Sequence, residues 1–171
     1  MTKTIKAKKG DIFKVSLSND KIGFFQYLLL DPALLNSEVI RAFNYRVEQD
    51  ETFDLKEVLN SGTHFNSHVD IRLGCDLRVW EKVGNIPLEN DLDRPLFRAV
   101  FGENDKYDGN RIVYKKSDKW QVWRAGNSFE SRQNIGRITQ EMENIDLGLI
   151  INPMGIVYRM EHDEYQRKYY T

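Results

Sequence analysis

The sequence predicts a mainly β chain of short antiparallel strands with one or two short helices. Two observations carry this: apolar residues alternate with polar ones at period two from the first strand onward, and turn clusters cut the chain into short segments. A third is that only the last part of the chain has a clear helix start.

In "KKGDIFKVSL", Phe13, Val15 and Leu17 alternate with Ile12, Lys14 and Ser16, so this strand leaves a Gly-Asp turn with Phe13, Val15 and Leu17 facing the core. Ser18 to Asp20 form a turn cluster, and "KIGFFQYLLL" after it is the near-continuous apolar run of a strand buried on both faces. The two predict a hairpin, which Asp31-Pro32 ends. "SEVIRAFNYRV" resumes alternation as a third strand, and "DETFDLKEVLNSG" has the apolar spacing and stop signal of one or two helical turns. "HFNSHVDIRL" and "DLRVWEKVGNIPL" return to strand patterns, with Leu77, Val79 and Val83 alternating against Arg78, Trp80 and Lys82. Beyond them come a strand "LFRAVFG", a polar loop "ENDKYDGN" and a hairpin "RIVYKKSDKWQVWRAG". Asn152-Pro153 is an N-cap followed by proline at the first helical position, opening a helix with Ile156, Val157 and Met160 as its apolar stripe.

With 171 residues, 40% of them hydrophobic, the chain has apolar material for one domain over residues 1–171. Pro87 and Pro95 bracket Glu89, Asp91 and Asp93, marking residues 87–95 as the place where two lobes would meet. The 25 basic and 26 acidic residues leave a net charge of -1, which gives no general attraction for nucleic acid or a lipid surface. No run approaches the ~18 apolar residues of a membrane helix, and the lysine-rich start lacks the apolar core of a signal peptide. With a single cysteine, Cys75, this predicts a cytoplasmic protein in a reducing compartment.

Motifs for chemistry are sparse. His64 and His68 have the i, i+4 spacing of a helical zinc pair, but they lie in a strand pattern, where four residues span about 13 Å, too far for one ion. His162 is isolated and suits a helix C-terminus. Cys75 has no hydrolase-like context and reads as an inert thiol. "ENDKYDGN" fails as a calcium loop because Lys106 and Lys115 stand where oxygen ligands are needed. No phosphate loop, dinucleotide fingerprint or Gly-x-Ser-x-Gly elbow occurs, and no metal or cofactor is expected.

What remains is aromatic. Trp80 lies between Arg78 and Lys82, and "DKWQVWRAGN" places Trp120 and Trp123 on opposite faces of one strand. Such rings suit base stacking or a protein interface, unless a second layer of structure covers them.

The opening "KKGDIFKVSLSNDKIGFFQYLLL" resembles the start of the immunity protein 26 family of bacterial polymorphic toxin systems, and "WEKVGNIPL" is similar to that family's Trp and Gly-x-x-Pro segment. The resemblance covers roughly the first hundred residues and extends more weakly to "DLGLIINPMGIVYRM". Gly-Asp-hydrophobic starts of this kind also open SH3-like barrels. The expected architecture is therefore an SH3-like or related partly open antiparallel β-barrel with additional strands.

The resemblance implies a small bacterial β-protein that binds a cognate toxin and blocks it, with no catalytic residues to carry over. On that reading Trp80, Trp123 and Arg124 are contact candidates, and the acidic residues Glu89, Asp91 and Asp93 would meet a basic toxin site. Two alternatives stand beside it. One is a nucleic-acid-binding β-barrel using Trp80, Trp123, Arg78, Lys82, Lys115 and Lys116, which the charge balance disfavours. The other is an enzyme built on His64, His68 and Asp70, which would have to converge in a pocket.

Overall fold

The computed structural model describes residues 6–88, 94–100, 106–108, 111–113 and 117–166. β1 (Asp11–Ser16) and β2 (Lys21–Asp31) form the expected hairpin. The Gly-Asp start answers to a close approach: Gly10 has φ 86°, and a Cβ there would sit 2.5 Å from the Ile86 carbonyl oxygen. β3 (Ser37–Phe43) pairs with β2, and β4 (Val47–Glu48) pairs with the start of β2. α1 (Leu55–Asn60) begins at Asp54, whose carboxylate accepts from Lys56 N. β5 (Thr63–Val69) pairs with β3, α2 spans Ile71–Asp76, and β6 (Trp80–Asn85) pairs with β1.

The resulting antiparallel sheet has the order β5-β3-β2-β1-β6, and it stays open, with β5 and β6 at opposite edges. The β5 edge is covered. Asn66 N donates to Asp146 Oδ2 at 2.8 Å, Arg159 Nη1 donates to the Asn66 carbonyl at 3.2 Å, and Ile151 N donates to the His68 carbonyl at 2.8 Å. These bonds occupy backbone groups that an exposed edge would offer to another strand.

The other strands lie beyond Pro95: β7 (Leu96–Val100), β8 (Lys106–Asp108), β9 (Arg111–Val113), β10 (Trp120–Arg124), β11 (Gln133–Gly136) and β12 (Asp146–Leu147). A second sheet has the order β11-β10-β7-β12, with β12 parallel to β7. α3 (Pro153–His162) closes the described chain, with Asn152 Oδ1 accepting from Gly155 N at 2.8 Å.

Two expectations need correction. The run "HFNSHVDIRL" is not one strand: the strand ends at Val69, Asp70 caps α2 through Leu73 N, and β6 starts only at Trp80. Gly74 makes this possible, because any Cβ there would lie 2.0 Å from the Trp80 ring. The hairpin expected over "RIVYKKSDKWQVWRAG" is also absent. β9 pairs back onto β8, while β10 lies between β7 and β11.

The large sheet buries both faces. Phe13, Val15, Phe25, Tyr27, Ile40 and Ala42 pack with Trp80 and with Ile156, Val157 and Met160 of α3. In the opposite alternation, Ile12, Ile22, Phe24 and Phe43 pack with Val58 of α1. Leu28, Leu29 and Val39 meet Phe97, Ala99 and Trp123 of the second sheet. No described helix is long and apolar enough to cross a membrane.

Candidate partner-binding surface

The sheets meet over one carboxylate. Asp31, at the end of β2, is fully buried, and its four lone-pair directions are all taken. Oδ2 accepts from His68 Nε2 and from Trp123 Nε1, each at 2.8 Å; Oδ1 accepts from Ala33 N and Gly126 N, each at 3.1 Å. Burial alone would raise the Asp31 carboxyl, but the bonds from His68, Trp123 and Gly126 outweigh it and hold the group below its usual range. A buried charge without such bonds would be strongly unfavourable.

The two backbone donors belong to two surface turns. Ala33 lies in the 3-10 turn Pro32–Leu34, and Gly126, at φ 83°, leads from β10 towards the 3-10 turn Phe129–Ser131. These turns pack against each other. Arg132 ties them together: its guanidinium lies 4.8 Å from the Trp123 ring and 4.3 Å from the Phe129 ring, and Nη2 donates to the Ala33 carbonyl. One buried carboxylate and one arginine therefore fix both turns.

From these turns project the most exposed large apolar side chains among the described residues, Leu35 at 83% and Phe129 at 59%. Leu35 and the following Asn36 both have left-handed φ, 56° and 53°. Gly, Asn and Asp usually occupy that region, because a Cβ crowds the following carbonyl at a cost of about 1–2 kcal/mol. A leucine both strained and exposed gains nothing for the fold at that position.

The sequence-derived candidates fall differently. Trp80 and Trp123 are each only 2% exposed, so neither presents its ring to a partner or a base; both are core. Trp80 packs edge-on against Phe25 beside α2, and Trp123 faces the Asp31 carboxylate. Trp120, 3% exposed, is covered on the other face of β10 by the Arg98 guanidinium, 5.2 Å from its ring. Both tryptophans of "DKWQVWRAGN" are thus buried, each under its own cover. Arg124 is exposed, and its Nη1 donates to the Arg94 carbonyl at 2.6 Å. Glu89, Asp91, Asp93, Lys115 and Lys116 lie outside the described residues.

The residues of the enzyme alternative do not converge. His68 points inward at Asp31, His64 bonds Asp163 and Arg46, and Asp70 caps α2. Among the described residues no group of three metal-ligating side chains forms. Lys82 of the nucleic-acid alternative pairs with the buried Asp11 carboxylate at 2.6 Å, and Arg78 is exposed. Burial, with Asp76 and Glu38 nearby, pushes the Cys75 thiol up to about 11, so it stays protonated at neutral pH.

Sequence reasoning missed Leu35 and Phe129. The signal for Leu35 was present in "DPALLNS", where an apolar pair occupies a turn between two strands; Phe129 carried no such signal.

No curated protein and no solved structure matches the chain. The family model described as Immunity protein 26 matches residues 8–110, a stretch that holds the whole first sheet with Asp31 and His68. Matched over more than half of its 171 residues, the chain belongs to the immunity protein 26 family.

Proposed function

We propose that this chain is a non-catalytic immunity protein that binds a cognate bacterial toxin domain and neutralises it by occupying its surface. Family membership supports the immunity role, and one observation supports binding as its means. Two exposed apolar side chains are held on turns that share a single buried carboxylate, so the surface is ordered before a partner arrives. The groups that most resemble catalytic machinery, His68 and Asp31, direct their bonds at each other, at Trp123 and at backbone amides instead.

The test is to express the product of the gene adjacent to this chain's own, as the candidate toxin, with and without this chain. Rescued growth and a complex that survives gel filtration are expected. If the toxin product kills equally in both strains and the two proteins elute separately, the proposal fails.

A further inference from the structure

Beside the two turns lies a cluster of cations. Arg124 donates to the Arg94 carbonyl, and Arg94 Nη1 reaches Asn127 Oδ1 at 3.1 Å, close to Gly126. Leu96, 39% exposed, stands directly opposite Arg124 in the β7–β10 ladder. Among the described residues neither Arg94 nor Arg124 has a carboxylate within ion-pair distance. Glu130, on the neighbouring turn, is turned back onto its own backbone amide and Ser128. Leu96, Arg124 and Arg94 thus form a strip that reaches Asn127, at the start of the turn carrying Phe129, while Arg132, against the Phe129 ring, donates to the Ala33 carbonyl two residues before Leu35.

We infer that the toxin docks on this strip with a surface that offers carboxylates around an apolar depression. The inference rests on the immunity reading above and adds where the partner binds and what chemistry it presents. Charge complementarity carries it: Arg94 and Arg124 have no carboxylate within ion-pair distance among the described residues, in a chain whose net charge is -1. The apolar side chains argue for a protein occupant over a polyanion. A leucine in a strained turn offers no stacking plane to a base, whereas a leucine and a phenylalanine flanked by arginines form an interface anchor. Elsewhere, the exposed Leu73 and Leu77 flank an Arg72–Asp76 pair that already satisfies its own charge.

Leu35 gives the sharpest test, because strain and contact make opposite demands on it. Leu35→Asn relieves the left-handed backbone, so the variant folds at least as stably as wild type. It also removes the apolar contact and should weaken toxin binding about tenfold or more. Phe129→Ala should weaken binding about thirtyfold. The double variant Arg94→Gln, Arg124→Gln should slow association and flatten its dependence on salt. Met154→Gln, at an exposed site on α3, serves as the control and should bind as wild type.

The measurement is surface-immobilised binding of the purified product of the adjacent gene, the candidate toxin, at low and high salt. Wild-type binding with unchanged affinity in Leu35→Asn and Phe129→Ala, or an equal loss in Met154→Gln, overturns the strip and leaves the immunity reading standing. Absence of wild-type binding overturns both. If duplex DNA or single-stranded RNA binds wild type and is lost in the double arginine variant while the toxin is unaffected, the strip serves a polyanion and the inference is wrong. A wild-type homodimer that Phe129→Ala dissociates, with toxin binding unchanged, overturns it equally.

Discussion

The two ends of β5 each carry a histidine bonded to an aspartate, and they differ in almost everything else. At one end His64 is bonded to Asp163, which lies past the C-terminus of α3 with its side chain 82% exposed. At the other end His68 bonds Asp31, and both side chains are fully buried. The first pair is supplemented by Arg46, which reaches His64 Nδ1 and the Met160 carbonyl. The second pair carries Trp123 and two turns. In water an ion pair competes with solvent and counts for little, whereas a buried carboxylate with every acceptor site taken cannot lose a donor without leaving a charge unsatisfied. The same two residue types thus pin a helix end at one place and join two sheets at the other.

Trp123→Ala removes a core ring and one of the donors to Asp31, and should cost about 3–5 kcal/mol in urea denaturation. A loss below about 1 kcal/mol would mean that the sheets are joined elsewhere. Gly148→Ala comes next, because its Cβ would lie 2.0 Å from the Trp123 ring, which cannot withdraw from its bond to Asp31. Overpacking of that kind costs about 1–3 kcal/mol. At the other end Gly23→Ala meets the Met160 sulfur at 2.8 Å, the far part of a flexible side chain, so it should cost less than Gly148→Ala. Equal melting temperatures for the two variants would contradict the difference in rigidity.

The two ends also differ in their response to pH. The folded Asp31 carboxyl lies below the unfolded value of about 3.9, so its contribution to stability is complete above that pH and is lost as pH falls through the folded value. Asp11 behaves in the same way: burial would raise it, but bonds from Lys82, Asn85 and the Lys8 amide lower it. Stability should therefore decline on acidification, and Asp31→Asn should remove only part of the slope, leaving the Asp11 share. Asp163 is also lowered, through its bond to His64, but its exposure makes its share of that slope small. Unfolding midpoints at several acidic pH values would check this, and an unchanged slope in Asp31→Asn would contradict it.

Local pattern reported much of the fold. The strand over "DIFKVS", the two-sided burial of "KIGFFQYLLL" and the Asn152-Pro153 helix start all appear as expected, because each depends on residues adjacent in the chain, although Ile12, opposite Phe13 and Val15, is buried as well, in the cluster with Val58 of α1. What local pattern could not show was pairing and cover. Whether β10 pairs with β9 or with β7 depends on strands on either side of a loop, and both ladders satisfy the same alternation. The tryptophans looked available because their covers, Arg98 for Trp120 and Asp31 for Trp123, come from distant segments. α2 hid inside a strand pattern because a six-residue helix has too few positions to reveal its period. Of the candidate surface, Arg124 was legible and Leu35 and Phe129 were not; Asp31 looked like the end of a strand, when its carboxylate organises the turns on both sides of the sheet contact.

Urea denaturation of Asp31→Asn and Asp163→Asn side by side at neutral pH separates a buried pair that supports the fold from an exposed pair that does not. An asparagine at position 31 keeps the shape but turns an NH2 group towards two of the four donors. The expected loss is about 3 kcal/mol or more for Asp31→Asn and about 0.5 kcal/mol or less for Asp163→Asn. Losses of similar size in the two variants would contradict it.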